Sequence, residues 1–259
     1  MKSEFKKFLA DVAVEAGAIH LKYFNKVHRI GRKFRAGIVT EADTESEALI
    51  LKRIRRKYPQ SAVITEESGS FKGDNLLWII DPLDGTTNYA HGFPWFAVSI
   101  GVWRDGNPVA GIIYNPVYRE QFFAEKGKGA YFNGKRMVVS KTDRIRDALF
   151  GTGFFYSQGR RMGVELEIFR ELNEVALGVR RPGAAALDMA YLASGRYDGF
   201  WERGLSPWDV AAGWLLVEEA GGKVSDYEGG PAKLDGREIV ASNGRLHKSL
   251  VYHIQKADR

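Results

Sequence analysis

The 259-residue sequence contains no cysteine. That excludes a disulfide scaffold, a cysteine-ligated zinc or iron–sulfur centre, and thiol catalysis. Proline is sparse, with 8 residues scattered through the chain, so no proline-rich linker cuts it into separate units. Histidine is equally thin. His20, His28, His91, His247 and His253 lack the spacing of a metal motif and are assigned to packing or surface. No apolar run approaches the roughly 20 residues of a membrane span. The densest, Trp95 to Trp103, is interrupted by Ser99. Met1 to Phe8 interleaves charge with apolar residues, unlike a secretory signal, and the expected location is cytoplasmic.

What is present describes a folding domain. Apolar residues make up 44% and charged residues 27%, the balance of an ordinary globular protein. Lysine and arginine number 38 against 32 aspartates and glutamates, a net charge of +6. Such an excess attracts nucleic acid, acidic membrane or small anions. Basic residues are dispersed apart from the cluster at 28–35, and no nucleic-acid-binding motif accompanies them. Neither nucleic acid nor membrane is therefore the expected partner.

Phe5, Phe8, Leu9, Val12, Ala16, Ile19 and Tyr23 recur at helical spacing and predict a helix over 3–25. A second is expected from Asp43 to Tyr58, ended by Pro59. Ala62 to Thr65 and Leu76 to Ile80 read as strands, the latter buried and stopped at Asp81-Pro82. Residues 95–125 predict an antiparallel meander, with a turn at Asp105-Gly106-Asn107. Beyond about 145 the pattern alternates. Strands are expected at 148–152, 176–180, 198–202, 222–224 and 238–241, and helices at 160–173, 184–195, 207–220 and 244–256. The class is α/β, in two tightly joined lobes of 1–140 and 141–259.

The chemistry concentrates in Trp78-Ile79-Ile80-Asp81-Pro82-Leu83-Asp84-Gly85-Thr86-Thr87. A buried strand delivers Asp81, and Pro82 keeps that residue out of helical geometry. Asp84 follows within the turn. Two carboxylates at a strand exit suit a hard divalent cation such as Mg²⁺. Gly85 permits close backbone approach, and the N–H groups after it would face an anion. Ser206-Pro207-Trp208-Asp209 reads as a helix start. There one carboxylate oxygen can serve the helix while the other meets a cation.

This string resembles the inositol monophosphatase family of Mg²⁺-dependent phosphatases. Thr65-Glu66-Glu67-Ser68, Val39-Thr40-Glu41-Ala42-Asp43, and Pro207-Trp208-Asp209 continuing to Glu219-Ala220-Gly221-Gly222 match further motifs in the family's order. The resemblance implies a layered α-β-α-β-α fold with the metal site between the lobes. It implies a phosphoric monoester hydrolase, inositol monophosphatase or fructose-1,6-bisphosphatase, in which water activated by metal attacks directly. Glu66, Asp81 and the Leu83 carbonyl would bind a first ion, and Asp81, Asp84 and Asp209 a second. A third, weaker ion would reach Glu66 through water, and Mn²⁺ could replace Mg²⁺. Thr86 backed by Asp43 would activate the water, with Glu67 in support. Asp84, Gly85, Thr86, Thr87, Arg180, Ala185 and Glu202 would contact the phosphorylated sugar or polyol, while Asp188 is structural.

The compact chain looks most like the archaeal branch of the family, which acts on inositol monophosphate and fructose 1,6-bisphosphate. A distal phosphate would need a cation, and Tyr156, Arg160, Arg161, Arg180 and Arg203 are available. Another small phosphate, such as 3′-phosphoadenosine 5′-phosphate, and an RNA-associated regulatory role are the alternatives. The resemblance also implies a homodimer. One departure is Gly37-Ile38 before Val39-Thr40, where many relatives carry an aspartate, in a region that helps hold the third ion in the family. Ser99 is not a hydrolase nucleophile, because it lies inside an alternating strand and not at an elbow.

Overall fold

A computed structural model describes residues 3–26, 30–32, 38–154 and 160–258. The helices are α1 (Lys6–Tyr23), α2 (Glu41–Lys57), α3 (Thr86–Ala90), α4 (Arg160–Val175), α5 (Ala185–Ala193), α6 (Pro207–Glu219) and α7 (His247–Ala257). Strands β1 (Ile30–Arg32) and β2 (Ile38–Thr40) form a small hairpin before α2. The larger sheet holds β3 (Ala62–Thr65), β4 (Gly69–Phe71), β5 (Leu76–Asp84), β6 (Ala97–Arg104), β7 (Asn107–Asn115), β8 (Glu120–Glu125), β9 (Gly129–Phe132) and β10 (Lys135–Met137). The smaller sheet holds β11 (Leu149–Thr152), β12 (Gly178–Arg180), β13 (Gly199–Arg203), β14 (Lys223–Ser225) and β15 (Glu238–Ser242).

The larger sheet runs β10-β9-β8-β7-β6-β5-β3-β4. It is antiparallel except where β3 pairs parallel with β5. The smaller sheet runs β12-β11-β13-β15-β14, parallel at β12-β11-β13 and antiparallel at β15 and β14. Its expected α/β character is thus mixed, because β15 runs antiparallel to both β13 and β14, and the loop over 226–237 that joins β14 to β15 holds no helix.

Among the described residues, the three largest apolar cores fill three interfaces. Phe8, Leu9, Ile50, Trp78 and Ile100 join α1 and α2 to the outer face of the larger sheet. Ile113, Phe122, Leu187, Leu215 and Ile239 join both sheets to the central helices α5 and α6. Phe150, Ile168, Trp201 and Leu250 seal α4 and α7 onto the smaller sheet. The layers therefore read α-β-α-β-α. The chain passes from one sheet to the other between Met137 and Leu149, and α5 and α6 from the later half share their core with strands of the earlier one. Burial of this kind is the dominant stabilising term, roughly 25 cal/mol per Å² of apolar surface.

Helix α6 lies unusually close to the larger sheet because two strand positions lack side chains. A Cβ on Gly101 would stand 2.8 Å from Ala211 Cβ, and one on Gly111 would stand 3.1 Å from the Ala212 backbone.

Differences from the sequence reading fall at element ends and at short strands, among them the β1–β2 hairpin. α1 starts at Lys6, and α2 begins two residues before Asp43 because Thr40 caps it. β4 and β10, three residues each, were not foreseen, since short edge strands carry little pattern. β5 does not stop at Ile80 but runs on to Asp84. Among the described residues, no helix is long and apolar enough to cross a membrane.

Candidate metal and phosphate site

The continuation of β5 brings the carboxylates together. Along a regular strand, residues three apart face opposite sides of the sheet. Here Asp81 pairs with Ser99 and Asp84 with Ala97, so β5 advances three residues while β6 advances two. The extra residue is a bulge, a position where proline is tolerated within a sheet. It turns Asp81 and Asp84 to the same side. Asp209, at the start of α6, completes a trio whose carboxylate oxygens lie within 4.8 Å of one another.

The turn is braced on every side. Leu83 N–H donates to Asp81 Oδ1 at 2.9 Å. Leu187 N–H donates to Asp84 Oδ2 at 3.2 Å, so a strand carboxylate caps α5, whose own N-cap Ala184 has no capping side chain. His20 Nε2 donates to Pro82 O at 2.8 Å from a fully buried position. Burial holds that imidazole near pKa 4, hence neutral. Gly85 adopts the left-handed φ of +86°, and a Cβ there would stand 2.8 Å from Trp95 O.

Asp43 serves two structures at once. Its Oδ2 accepts from Thr40 N at 2.8 Å, closing the capping box of α2. Its Oδ1 accepts from Thr86 Oγ1 at 3.2 Å, a hydroxyl that also lies 3.0 Å from Leu83 O. Asp209 is similarly shared, with Oδ2 accepting from Ser206 N at 2.7 Å.

The electrostatics are those of a site suited to a cation. Burial, then Glu66, Asp84 and Asp209, push the Asp81 carboxyl well above its usual range. Asp84 is pushed up to about 7, by burial first and Glu66 besides, against the opposing Leu187 N–H. Carboxylates gathered this closely repel one another and fit a hard divalent ion that accepts several oxygens. Glu66 acts on both aspartates but stands outside the trio.

Glu47 was missed from sequence. This buried α2 residue accepts from Thr65 Oγ1 at 2.6 Å, from Glu67 N at 3.0 Å and from Ser68 Oγ. It clamps the loop that carries Glu66. Its signal was available, because it falls one helical turn after Asp43 and shares that residue's face. Glu67 itself is half-buried and reaches Glu47 through its main chain.

The remaining candidates come from α3, α5 and the smaller sheet. Ala185 opens α5 and is buried. Glu202 of β13 packs against Gly153, where a Cβ would stand 2.2 Å from its carboxylate oxygens. Burial, then Asp209, hold the Glu202 carboxyl well above its usual range. Thr87 is exposed on α3. Arg180 is exposed and donates to Val179 O at 3.1 Å. Arg203 is fully engaged elsewhere, pairing with Glu165 at 3.0 Å, Glu238 at 3.1 Å and Asp258 at 2.8 Å. Tyr156, the side chains of Arg160 and Arg161, and most of the 28–37 stretch lie outside the described residues.

Known proteins resemble this chain throughout. The sequence profile of the inositol monophosphatase family matches residues 1–259. An inositol-1-monophosphatase of Synechocystis is 44% identical over 243 residues, covering 93% of this chain and 85% of the relative. The Nus factor SuhB of Pseudomonas aeruginosa is 45% identical over 232 residues, covering 87% and 86%. The crystal structure of the extragenic suppressor protein suhB from Bartonella henselae superposes with a TM-score of 0.94 at 39% identity, covering 98% of this chain and 99% of that one.

Proposed function

We propose a function from one premise: this chain belongs to the inositol monophosphatase family, and its activity is that of a family phosphatase. The finer reading is a Mg²⁺-dependent phosphomonoesterase acting on inositol 1-phosphate, fructose 1,6-bisphosphate or both. Water would attack directly, with no phosphoenzyme. The carrying observation is the buried trio Asp81, Asp84 and Asp209 beside the Thr86–Asp43 pair.

Asp81, Asp84, Asp209, Glu66 and the Leu83 carbonyl would hold two divalent ions, with Mn²⁺ able to replace Mg²⁺. When bound, the ions neutralise charge on the phosphoryl group and acidify water. The chain's own residues supply position and proton transfer. Thr86 Oγ1 donates to Asp43 Oδ1, which leaves its lone pairs able to accept a proton from the attacking water. The turn at Gly85 and Thr86 brings backbone close to the phosphate, and Glu202 would accept a substrate hydroxyl. Phosphoryl transfer depends chiefly on such positioning and electrostatics, so the lack of cysteine costs nothing.

Phosphate release from inositol 1-phosphate, fructose 1,6-bisphosphate and 3′-phosphoadenosine 5′-phosphate tests this. EDTA-stripped protein should be inactive and Mg²⁺ should restore turnover. No release from any substrate with Mg²⁺ present would overturn the reading. A second reading comes from the relative named a Nus factor, namely a regulatory role on RNA; salt-dependent RNA binding at micromolar affinity or better would support it. Homodimerisation is part of the proposal, and light scattering should give twice the chain mass.

A further inference from the structure

We propose that His20 is a positioning residue for the carboxylate turn, setting the divalent-ion affinity of Asp81 through the Pro82–Leu83 peptide. This inference rests on the phosphatase reading only in taking Asp81 as an ion ligand. It adds a residue of α1 that lies outside every motif of the sequence reading.

One peptide unit is gripped at both ends. His20 Nε2 donates to Pro82 O at 2.8 Å. Leu83 N–H donates to Asp81 Oδ1 at 2.9 Å. That carbonyl and that N–H belong to the same planar unit, and in a trans peptide they point in opposite directions. Turning the carbonyl toward α1 therefore turns the N–H toward the carboxylate. Rotating the unit away from His20 would swing the Leu83 N–H off Asp81. Donation to the carbonyl also polarises the amide, so the N–H beyond it binds the carboxylate more strongly. Such a bond favours the ionised carboxylate and fixes the direction of its remaining lone pairs.

Packing alone does not account for an imidazole here. His20 is fully buried. Its ring meets those of Tyr89 and Phe96 near edge-on, at centroid distances of 6.0 and 5.9 Å. These two rings belong to an apolar cluster with Ala42 and Leu83. A neutral imidazole has one N–H, and a carbonyl can only accept, so that proton sits on Nε2. Among the described residues, Nδ1 has no hydrogen-bond partner. An apolar side chain would fill the same space without stranding a polar atom. The carbonyl contact is what a histidine adds. Ser46 Oγ also approaches Pro82 O, but at 3.4 Å, and it bonds more closely to Ala42 O at 2.6 Å.

The main chain of His20 takes part as well. Its carbonyl accepts from Tyr89 Oη at 2.7 Å. Tyr89 lies on α3, whose first residue is Thr86. One residue of α1 thus holds both the aspartate turn and the short helix that begins at the Thr86 hydroxyl.

The test measures metal binding and turnover on the full chain, for wild type, H20Q, H20N and H20M. Glutamine can place an amide N–H where Nε2 stands, asparagine is too short, and methionine has no donor. Calorimetry on EDTA-stripped protein without substrate would give Mn²⁺ affinity. Phosphate release would give the half-saturating Mg²⁺, and urea titration would show which variants are folded. H20N and H20M should bind Mn²⁺ about 10-fold more weakly and need about 10-fold more Mg²⁺ for half-maximal turnover. Their kcat at saturating Mg²⁺ should stay within about twofold of wild type, since a loss of binding alone is made good by excess ion. H20Q should remain within about threefold of wild type in affinity. A mere loss of fold stability would not follow this split between donor and non-donor variants.

NMR spectra of wild type need no substitution and serve even if H20N and H20M do not fold. Adding Mg²⁺ should shift the His20 Nε2–H and Leu83 amide resonances together. Wild-type affinity in folded H20N or H20M, a loss in H20Q equal to theirs, or a fall in kcat that saturating Mg²⁺ does not restore would each overturn the assignment. So would a His20 resonance indifferent to Mg²⁺, or wild type that binds no Mn²⁺. Wild type that shows the paired shifts, with weaker Mn²⁺ binding in H20M, yet releases phosphate from nothing would overturn the phosphatase reading and leave the role of His20 standing.

Discussion

Two groups of carboxylates in this protein have opposite fates. In one, Glu165, Glu238 and Asp258 surround Arg203, so acids from α4, β15 and the chain end are joined by a cation the sequence supplies. Burial raises the Glu165 carboxyl, and Arg203 works against that rise. In the other, Asp81, Asp84 and Asp209 converge, and the neighbouring side chains acting on Asp81 are all further carboxylates. Both groups carry three acids. The first is bridged from within by one guanidinium, which ties α4, β13, β15 and Asp258 together. The second gathers acid beside acid, the arrangement on which the proposed metal site rests.

The largest expected effect comes from dismantling the second group. Asp84→Asn should cut phosphate release by about 10³-fold or more, since a charge facing the developing transition state is removed. Far-ultraviolet circular dichroism should be unchanged, because an asparagine oxygen can still accept from Leu187 N–H. Activity within tenfold of wild type would mean the trio is not the reaction centre. Removing the internal cation comes next. Arg203→Met leaves three acids without their partner and should cost about 3 kcal/mol of unfolding free energy, measured by urea titration.

The comparison also predicts a dependence on pH. The Asp84 carboxyl rises from its ordinary value to about 7 on folding, so the folded state binds the extra proton. Stability from this source is complete below about pH 4 and is lost as pH rises through 7. Metal-free wild type should therefore melt earlier at pH 7.5 than metal-free Asp84→Asn. Mg²⁺ should raise the wild-type melting temperature by a few degrees at pH 7.5 and hardly at all at pH 5, where protons hold the site. Equal Mg²⁺ stabilisation at both values would contradict the proton competition. The smallest effect is expected at Glu47. Glu47→Gln should weaken Mg²⁺ binding about tenfold, as for other residues that orient a ligand from behind, and unchanged affinity would remove it from the site's support.

Much of this was legible in the sequence. The helices from α4 to α7 and the strand at 62–65 follow from periodicity, because each has one apolar face and clear punctuation. The string from Asp81 to Thr87 announced carboxylates beside a glycine turn. What could not be read was how residues three apart come to face the same way. The bulge at Pro82-Leu83 exists only relative to β6, and pairing partners are not written locally. Glu47 was hidden by appearing as one more charge on an acidic helix face.

The contact of α6 with the larger sheet has a consequence for how the site can change. Asp81 and Asp84 ride on the sheet while Asp209 rides on the helix, so the gap among the three is a packing distance. Gly101 and Gly111 set that distance by what they lack. A single methyl added at either position would act as a shim, lifting the helix by a few tenths of an ångström and widening the trio. On the proposed function, cation preference would be adjustable from two remote strand positions without altering one of the three acids.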